Sequence, residues 1–292
     1  MTRRTGPRLS AVVVTHDEGR LLVETVRSLL TTLPADAELI VVDDGSSDGS
    51  VRAAAGLDAG VIVTRPPRRL GTVAARNHGA ARASGAVVVF SDAHVEAPPG
   101  WADALLDPLA DPSVGAVGPA IVMMRHRAAK GYGLRFADAA LTCEWGPWPG
   151  PEAHPVPMLG AGFLAMRRDV FDALGGFDAG MIRYGMEDPD LAIRLWTLGY
   201  SCLVVPTVEV AHVFRNGHAH QEWELWMHNV VRFGAVHFGR RRLARLLAEH
   251  AADPALPAAL ARVMTSDAAR RRREVHARRI RDDDWYFSAF GM

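Results

Sequence analysis

The run Val87-Val88-Val89-Phe90-Ser91-Asp92-Ala93-His94-Val95-Glu96 decides how this chain is read. Its β-branched half has the character of a strand buried on both faces of a parallel sheet, and in such sheets ligands bind beyond the carboxyl ends of the strands. The polar half therefore lies where chemistry is done. Asp92 and His94, spaced by two, point the same way if the backbone stays extended, and a carboxylate oxygen with an imidazole nitrogen suits a divalent ion such as Mn²⁺. The competing reading is a strand-end Asp that caps the next helix beside a solvent-facing His.

Working towards the amino terminus, the same pattern repeats. Leu9 to Val14, Leu39 to Val42 and Val61 to Val63 are short apolar runs, each followed by a polar turn and a helical segment, with Leu22, Val26, Leu29, Leu30 and Leu33 marking one helix face. Strands alternating with helices predict a mostly parallel, doubly wound α/β sheet. The loops after Val14, Val42 and Phe90 then share one edge. There Asp43 can accept hydrogen bonds from a base or ribose, and Gly71 lets the backbone approach a ligand. The helix after Gly71, closed by Gly85, offers free N–H groups to a phosphate, with Arg76 one turn inside it. Neither a Rossmann glycine fingerprint nor a Walker lysine is present.

Towards the carboxyl terminus lies a long Gly/Pro/Trp-rich connection with Tyr132, Phe136, Trp145 and Trp148, the composition of a binding lid. Gly160-Ala161-Gly162 permits close approach of another group. Asp188 can be the N-cap of a helix with Pro189 first and Gly199 its stop, and the adjacent carboxylates Glu187 and Asp188 can present a base to a substrate. His212 sits in an apolar segment, where a satisfied core histidine is the ordinary reading. Beyond Arg215 the chain is helical and basic, with Trp223, Trp226, Val230 and Phe233 on one face and the run Arg270 to Arg273 read as a solvated face.

These motifs together resemble glycosyltransferases of the GT-A fold, family 2-like, and most specifically the catalytic domain of polypeptide N-acetylgalactosaminyltransferases. The matching pieces are Asp92-Ala93-His94 with Glu96 and Gly100-Trp101, Phe136 to Trp145, Gly176-Phe177-Asp178, Tyr184-Gly185-Met186-Glu187-Asp188, Arg194-Leu195-Trp196 and His212-Val213-Phe214-Arg215. The resemblance implies a metal site of Asp92, His94 and His212 for Mn²⁺ or Mg²⁺. It implies a UDP-sugar donor held by Thr15, Glu18, Asp43, Gly71, Arg76 and Arg215, and a donor and acceptor pocket of Trp145, Gly160, Ala161, Gly162 and Tyr184. Glu187 and Asp188 are the catalytic candidates. Tyr184 stands where that family has Trp, and Asp188 where it has Asn, which gives the Glu-Asp pair typical of inverting family 2 enzymes. Both outcomes stay open: an inverting transfer with Asp188 as base, and a retaining one like that of the named family.

The expected activity is transfer of a hexose or N-acetylhexosamine to a hydroxyl of a peptide, a sugar or a natural product. The rival classes are a sugar nucleotidyltransferase and a non-catalytic sugar-nucleotide-binding protein. Residues 1–215 are expected to form the catalytic domain and 216–292 a helical extension packed on it, with homodimerisation open.

With Lys+Arg 33 and Asp+Glu 33 in 292 residues, the formal charge of +0 gives no general attraction for nucleic acid. No apolar run approaches a membrane span. The two cysteines, Cys143 and Cys202, lack disulfide or metal-ligand spacing and read as buried small hydrophobes. An Arg-, Ala- and Gly-rich composition with Lys130 as the sole lysine suggests a bacterial source, and a cytoplasmic location is expected.

Overall fold

The structure, a computed structural model, describes residues 8–214 and 220–292. β1 (Leu9–Thr15) leads to α1 (Arg20–Thr32), β2 (Ala37–Asp43) to α2 (Ser50–Ala55), and β3 (Val61–Thr64) to α3 (Thr72–Ala80). β4 (Val87–Asp92) runs through the two-residue β5 (Val95–Glu96) to α4 (Trp101–Leu106). The strands lie in the order β3-β2-β1-β4, all parallel. Alternate residues feed opposite faces, as the period of a strand requires. Val12, Ile40, Val42, Val88 and Phe90 pack beneath α3, whereas Ala11, Val13, Leu39, Val41 and Val89 pack against the buried stripe Leu22, Val26 and Leu29 of α1.

β6 (Val114–Met123) then adds to the sheet and turns back as β7 (His126–Gly131), after which the chain builds a hairpin of β8 (Leu134–Phe136) and β9 (Cys143–Trp145) and the short β10 (His154–Pro155). This connection stays at the carboxyl edge. β11 (Phe163–Arg167) therefore starts there and runs antiparallel between β4 and β6, since a parallel entry needs a long crossover back to the other edge. The parallel, doubly wound order holds on one side of β4, and the sheet is mixed beyond it. After α5 (Arg168–Leu174) and α6 (Glu187–Thr197), β12 (Ser201–His212) pairs parallel with β6, and its last residues pair antiparallel with β5.

The remaining helices are α7 (His220–His237), α8 (Arg240–Glu249), α9 (Leu256–Met264), α10 (Ala268–Arg278) and α11 (Asp283–Ala289). Phe233, Phe238, Tyr286 and Phe287 belong to the same buried cluster as Phe90 and Met166 of the sheet. The ring of Phe136 lies 5.9 Å from Phe287, stacked, and 6.0 Å from Phe233, so the C-terminal helices hold the β8–β9 connection in place. No described helix is long and apolar enough to cross a membrane.

Several local expectations change. Gly85 does not close α3: an added Cβ there would lie 2.6 Å from the Leu9 carbonyl carbon, so the glycine serves close approach to β1. Asp188 is not an N-cap, because α6 begins at Glu187 behind Met186, whose φ is 67°. Of the arginine run, Arg270 is exposed and paired with Asp267 and Glu274, but Arg272 Nη1 donates to the carbonyls of Ala235 (2.9 Å) and Phe238 (2.8 Å) at the end of α7. A cation there answers the negative end of the helix dipole. Cys202 is buried as expected, but Cys143 is exposed.

Candidate active site

Strand pairing assembles the site. Thr15 is the register partner of Asp43, and Val14 that of Asp92, so the ends of β2, β1 and β4 lie side by side. The antiparallel pairing of β5 with β12 sets His212 opposite Val95, and the Val213 N–H donates to the His94 carbonyl at 3.1 Å. Two histidines 118 positions apart thus come to one point, their rings 4.6 Å apart and edge to face.

Asp92 Oδ2 lies 3.2 Å from His212 Nε2 and 3.9 Å from His94 Nε2. Ligand-capable atoms of all three residues fall within 4.8 Å of one another. Gly162 closes one side: its carbonyl accepts the Asp92 N–H at 2.9 Å, and an added Cβ would lie 3.0 Å from Asp92 Oδ2 and 3.2 Å from His212 Nε2. The missing side chain keeps that space open. Glu18 Oε2 stands 3.4 Å from His94 Nδ1.

Behind Asp92 runs a buried ionic relay. The Arg76 guanidinium donates to Asp92 Oδ1 at 2.8 Å and to Glu187 Oε1 at 3.2 Å, and the Glu187 Oε2 accepts the Gly185 N–H at 2.6 Å. Burial alone would raise the Asp92 carboxyl, but Arg76, with His212 and His94, outweighs it and holds Asp92 well below the usual carboxylate range. Arg76, expected to reach phosphates, instead braces two carboxylates and is buried. Asp188, only partly buried, accepts the Ala161 N–H on Oδ1 at 3.1 Å. Its pKa is pushed up by desolvation and then by the Glu187 charge. The helix cap expected from sequence would have the opposite effect, since backbone N–H groups and the positive dipole end keep a carboxylate ionised. Without the cap, the neighbouring carboxylate and burial prevail.

The start of α3 also differs. Asp44 accepts the N–H groups of Leu70 (2.6 Å) and Gly71 (2.8 Å), so the anion position expected there is filled by a side chain of the protein. What closely approaches Gly71, at φ 82°, is the backbone of Arg183: an added Cβ would lie 2.6 Å from its Cα. Asp43 accepts the Ser46 N–H at 2.7 Å, with Arg65 3.6 Å away. Thr15 is buried and its Oγ1 has no hydrogen-bond partner.

Trp145 and Phe214 meet edge to face at 5.9 Å, and Phe214 stacks obliquely on His212 at 4.5 Å. Gly160 faces the Trp145 ring, and Tyr184 is exposed nearby in sequence to Glu187. Arg215 lies outside the described residues. The sequence reading missed Asp44 as a loop brace, and Asn77, which both accepts from and donates to the Phe177 backbone. It also missed Asn229 of α7. Asparagine is a poor helix former, and its place inside two helices was the available signal.

The family model described as Glycosyl transferase family 2 matches residues 10–175, and that described as N-terminal domain of galactosyltransferase matches 152–219. Human polypeptide N-acetylgalactosaminyltransferase 15 is 32% identical over 257 residues, covering 80% of this chain and 40% of its own length. Polypeptide N-acetylgalactosaminyltransferase 11 of Xenopus tropicalis is 32% identical over 240 residues, covering 72% of this chain and 38% of its own. The chain thus spans about two fifths of the length of these curated relatives. Among solved structures, GalNAc-T7 with UDP, GalNAc and Mn²⁺ superposes with a TM-score of 0.82 at 23% identity, covering 99% of this chain and 57% of that one. The mannosyltransferase PcManGT from Pyrobaculum calidifontis with GDP-Man and Mn²⁺ gives 0.59 at 23% identity, covering 99% and 84%. Both likenesses place the fold.

Two expectations are corrected here. The curated relatives come from animals, including human, frog, fly and worm, which overturns the bacterial source inferred from composition. The same relatives, animal polypeptide N-acetylgalactosaminyltransferases, overturn the cytoplasmic location, and the absence of a membrane-spanning helix among the described residues does not restore it. Arginine and alanine content reflects codon usage and carries no address. The family 2 match covers more than half of the 292 residues, and with the sheet order and the superpositions it settles the class: the chain belongs to glycosyl transferase family 2 and has the GT-A fold.

Proposed function

We propose that the chain is a metal-dependent glycosyltransferase that moves a hexose or N-acetylhexosamine from a UDP-sugar to an acceptor hydroxyl. The observation that carries this reading is the convergence of Asp92, His94 and His212 beside the side-chain-free Gly162. Two imidazoles and one carboxylate suit Mn²⁺ better than Mg²⁺, which prefers oxygen. A bound ion of this kind supplies charge neutralisation for a diphosphate leaving group.

The residues of the chain supply the rest. Arg76 keeps Asp92 ionised and turned towards the histidines. Glu187, fixed by Arg76 and the Gly185 N–H, holds the start of α6 in place. Asp188 takes the proton of the acceptor hydroxyl as its oxygen bonds to the anomeric carbon, and the bond from that carbon to the diphosphate breaks with its electron pair on UDP. A carboxyl with a raised pKa is a better base than an ordinary one, since general-base efficiency is greatest when the pKa approaches the working pH. Thr15, Glu18 and Asp43 line the strand edge that the nucleotide would occupy, and Trp145 and Tyr184 offer faces to sugar or acceptor.

A second reading is favoured by the relatives: as a polypeptide N-acetylgalactosaminyltransferase, the chain would use UDP-N-acetylgalactosamine, a peptide hydroxyl and retention of configuration. A donor screen with Mn²⁺ tests both, with the anomeric configuration of the product separating them. Release of UDP supports a transferase, and release of pyrophosphate a nucleotidyltransferase. Preference for GDP, CDP or dTDP over UDP would overturn the nucleotide assignment. His212→Ala should weaken Mn²⁺-dependent UDP binding in calorimetry at least about tenfold while leaving the melting temperature in place. Unchanged affinity would make His212 a core histidine. Light scattering decides whether the chain associates with itself.

A further inference from the structure

The segment between α5 and α6 delivers Glu187 and Asp188, and it is held in an unfavourable conformation. Arg183 and Met186 have φ of 56° and 67°, in the left-handed region that side chains disfavour, with Gly185 at 102° between them. Such backbone persists only where its surroundings over-determine it. Here the restraint comes from α7, far along the chain. Asn229, fully buried, accepts the Ile182 N–H on Oδ1 at 2.8 Å, and its Nδ2 donates to the carbonyls of Ile182 (3.0 Å), Tyr184 (3.1 Å) and Gly185 (2.9 Å). One turn earlier, Trp226 is packed so closely on Gly185 that an added Cβ would lie 2.7 Å from its ring. One turn later, Arg232 grips both oxygens of Asp178 through Nε and Nη2, at 2.9 and 2.8 Å. The opposite side of the segment rests on Gly71, and its Arg183 carbonyl accepts the Val73 N–H at 3.3 Å.

We infer that Asn229 is a positioning residue for transfer: by tying the carbonyls of Ile182, Tyr184 and Gly185 it fixes the strained turn that sets Glu187 on Arg76 and Asp188 at the acceptor side of the site. It touches no reacting atom. It acts through the Gly185 N–H, which binds Glu187, and through the angle at which α6 begins. Only an amide does this, because the site asks for one acceptor and two donor hydrogens at one short side chain. The inference rests on the transferase reading above.

The test compares the full chain with Asn229→Ala and with the isosteric Asn229→Asp, which keeps the acceptor and loses the donors. Hydrogen exchange of residues 181–187 should speed up in either variant at least tenfold, with β1, β4 and β12 unchanged. Calorimetric affinity for Mn²⁺ with UDP should shift less than about threefold, since Asp92 and His212 end their strands and His94 lies in the bend between β4 and β5, none of them hydrogen-bonded to Asn229. Donor turnover should fall about a hundredfold in kcat, the scale of a misplacement near one ångström, with little change in donor KM. If the alanine variant does not fold, the aspartate variant carries the same test. Unaltered exchange in the segment, or full kcat in a variant with faster exchange, overturns the inference. A wild-type chain that binds UDP but releases none overturns the transferase reading, and the positioning role with it.

Discussion

Asp188 carries the most at the scale of single residues. Its pKa, raised to about 8, means that the folded state holds the proton more tightly than the unfolded one, so its contribution to stability is complete below the ordinary carboxylate range and is lost as pH rises from there through about 8. Asp188→Asn removes that loss. The variant without metal should melt about 2 °C or more above wild type at pH 8 and show no gain at pH 4, by calorimetry. It should also cut transfer at least about a hundredfold and abolish the basic rise of the pH–rate profile, while UDP binding persists. Full activity with retained configuration would leave Asp188 a structural group and favour the retaining reading. Gly162→Ala makes a complementary case. Its methyl would intrude between Asp92 and His212, so Mn²⁺ affinity should fall at least about tenfold with the fold intact, as isothermal titration would record.

Elements explain why two phosphate-oriented expectations changed. A helix start with small residues offers N–H groups in any sequence, but Asp44 already accepts those of Leu70 and Gly71, and the Arg183 carbonyl accepts that of Val73. The glycine at position 71 is needed for its left-handed backbone and for contact with that turn. Gly71→Ala should therefore cost roughly 1–3 kcal/mol in chemical denaturation, and it should loosen the segment before α6 in hydrogen exchange. Asp44→Ala should release the same helix start without the steric clash, giving a milder loss. If Gly71→Ala is as stable as wild type, the close approach of Arg183 is not a constraint on folding.

The whole molecule shares one core across the proposed boundary at residues 215 and 216. Phe233, Phe238, Tyr286 and Phe287 pack in the cluster that lines the sheet, and the Tyr286 hydroxyl donates to the Pro157 carbonyl at 3.1 Å. Thermal unfolding followed by near-UV and far-UV dichroism should give one coincident transition, because neither part can expose its face alone. Phe287→Ala should lower stability by about 3–5 kcal/mol, the usual cost of emptying a buried aromatic position. Two separated transitions would mark 216–292 as an independent domain.

The alternation of apolar runs and polar turns in residues 9–96 determined that β1 to β4 are parallel and that polar residues gather at one edge, because strand period and crossover handedness are local and chiral rules; their order β3-β2-β1-β4 came from the structure. The pairing of His212 with Asp92 and His94 came from motif resemblance; the residues themselves left His212 a core histidine. Only the tertiary structure set β5 against the end of β12, since antiparallel pairing at a distance has no local signal. It alone also decided the ionisation of Asp188, the partners of Arg76 and the reach of Asn229. Those depend on burial and on which charges and carbonyls the fold brings within a few ångströms, and spacing along a chain does not encode either.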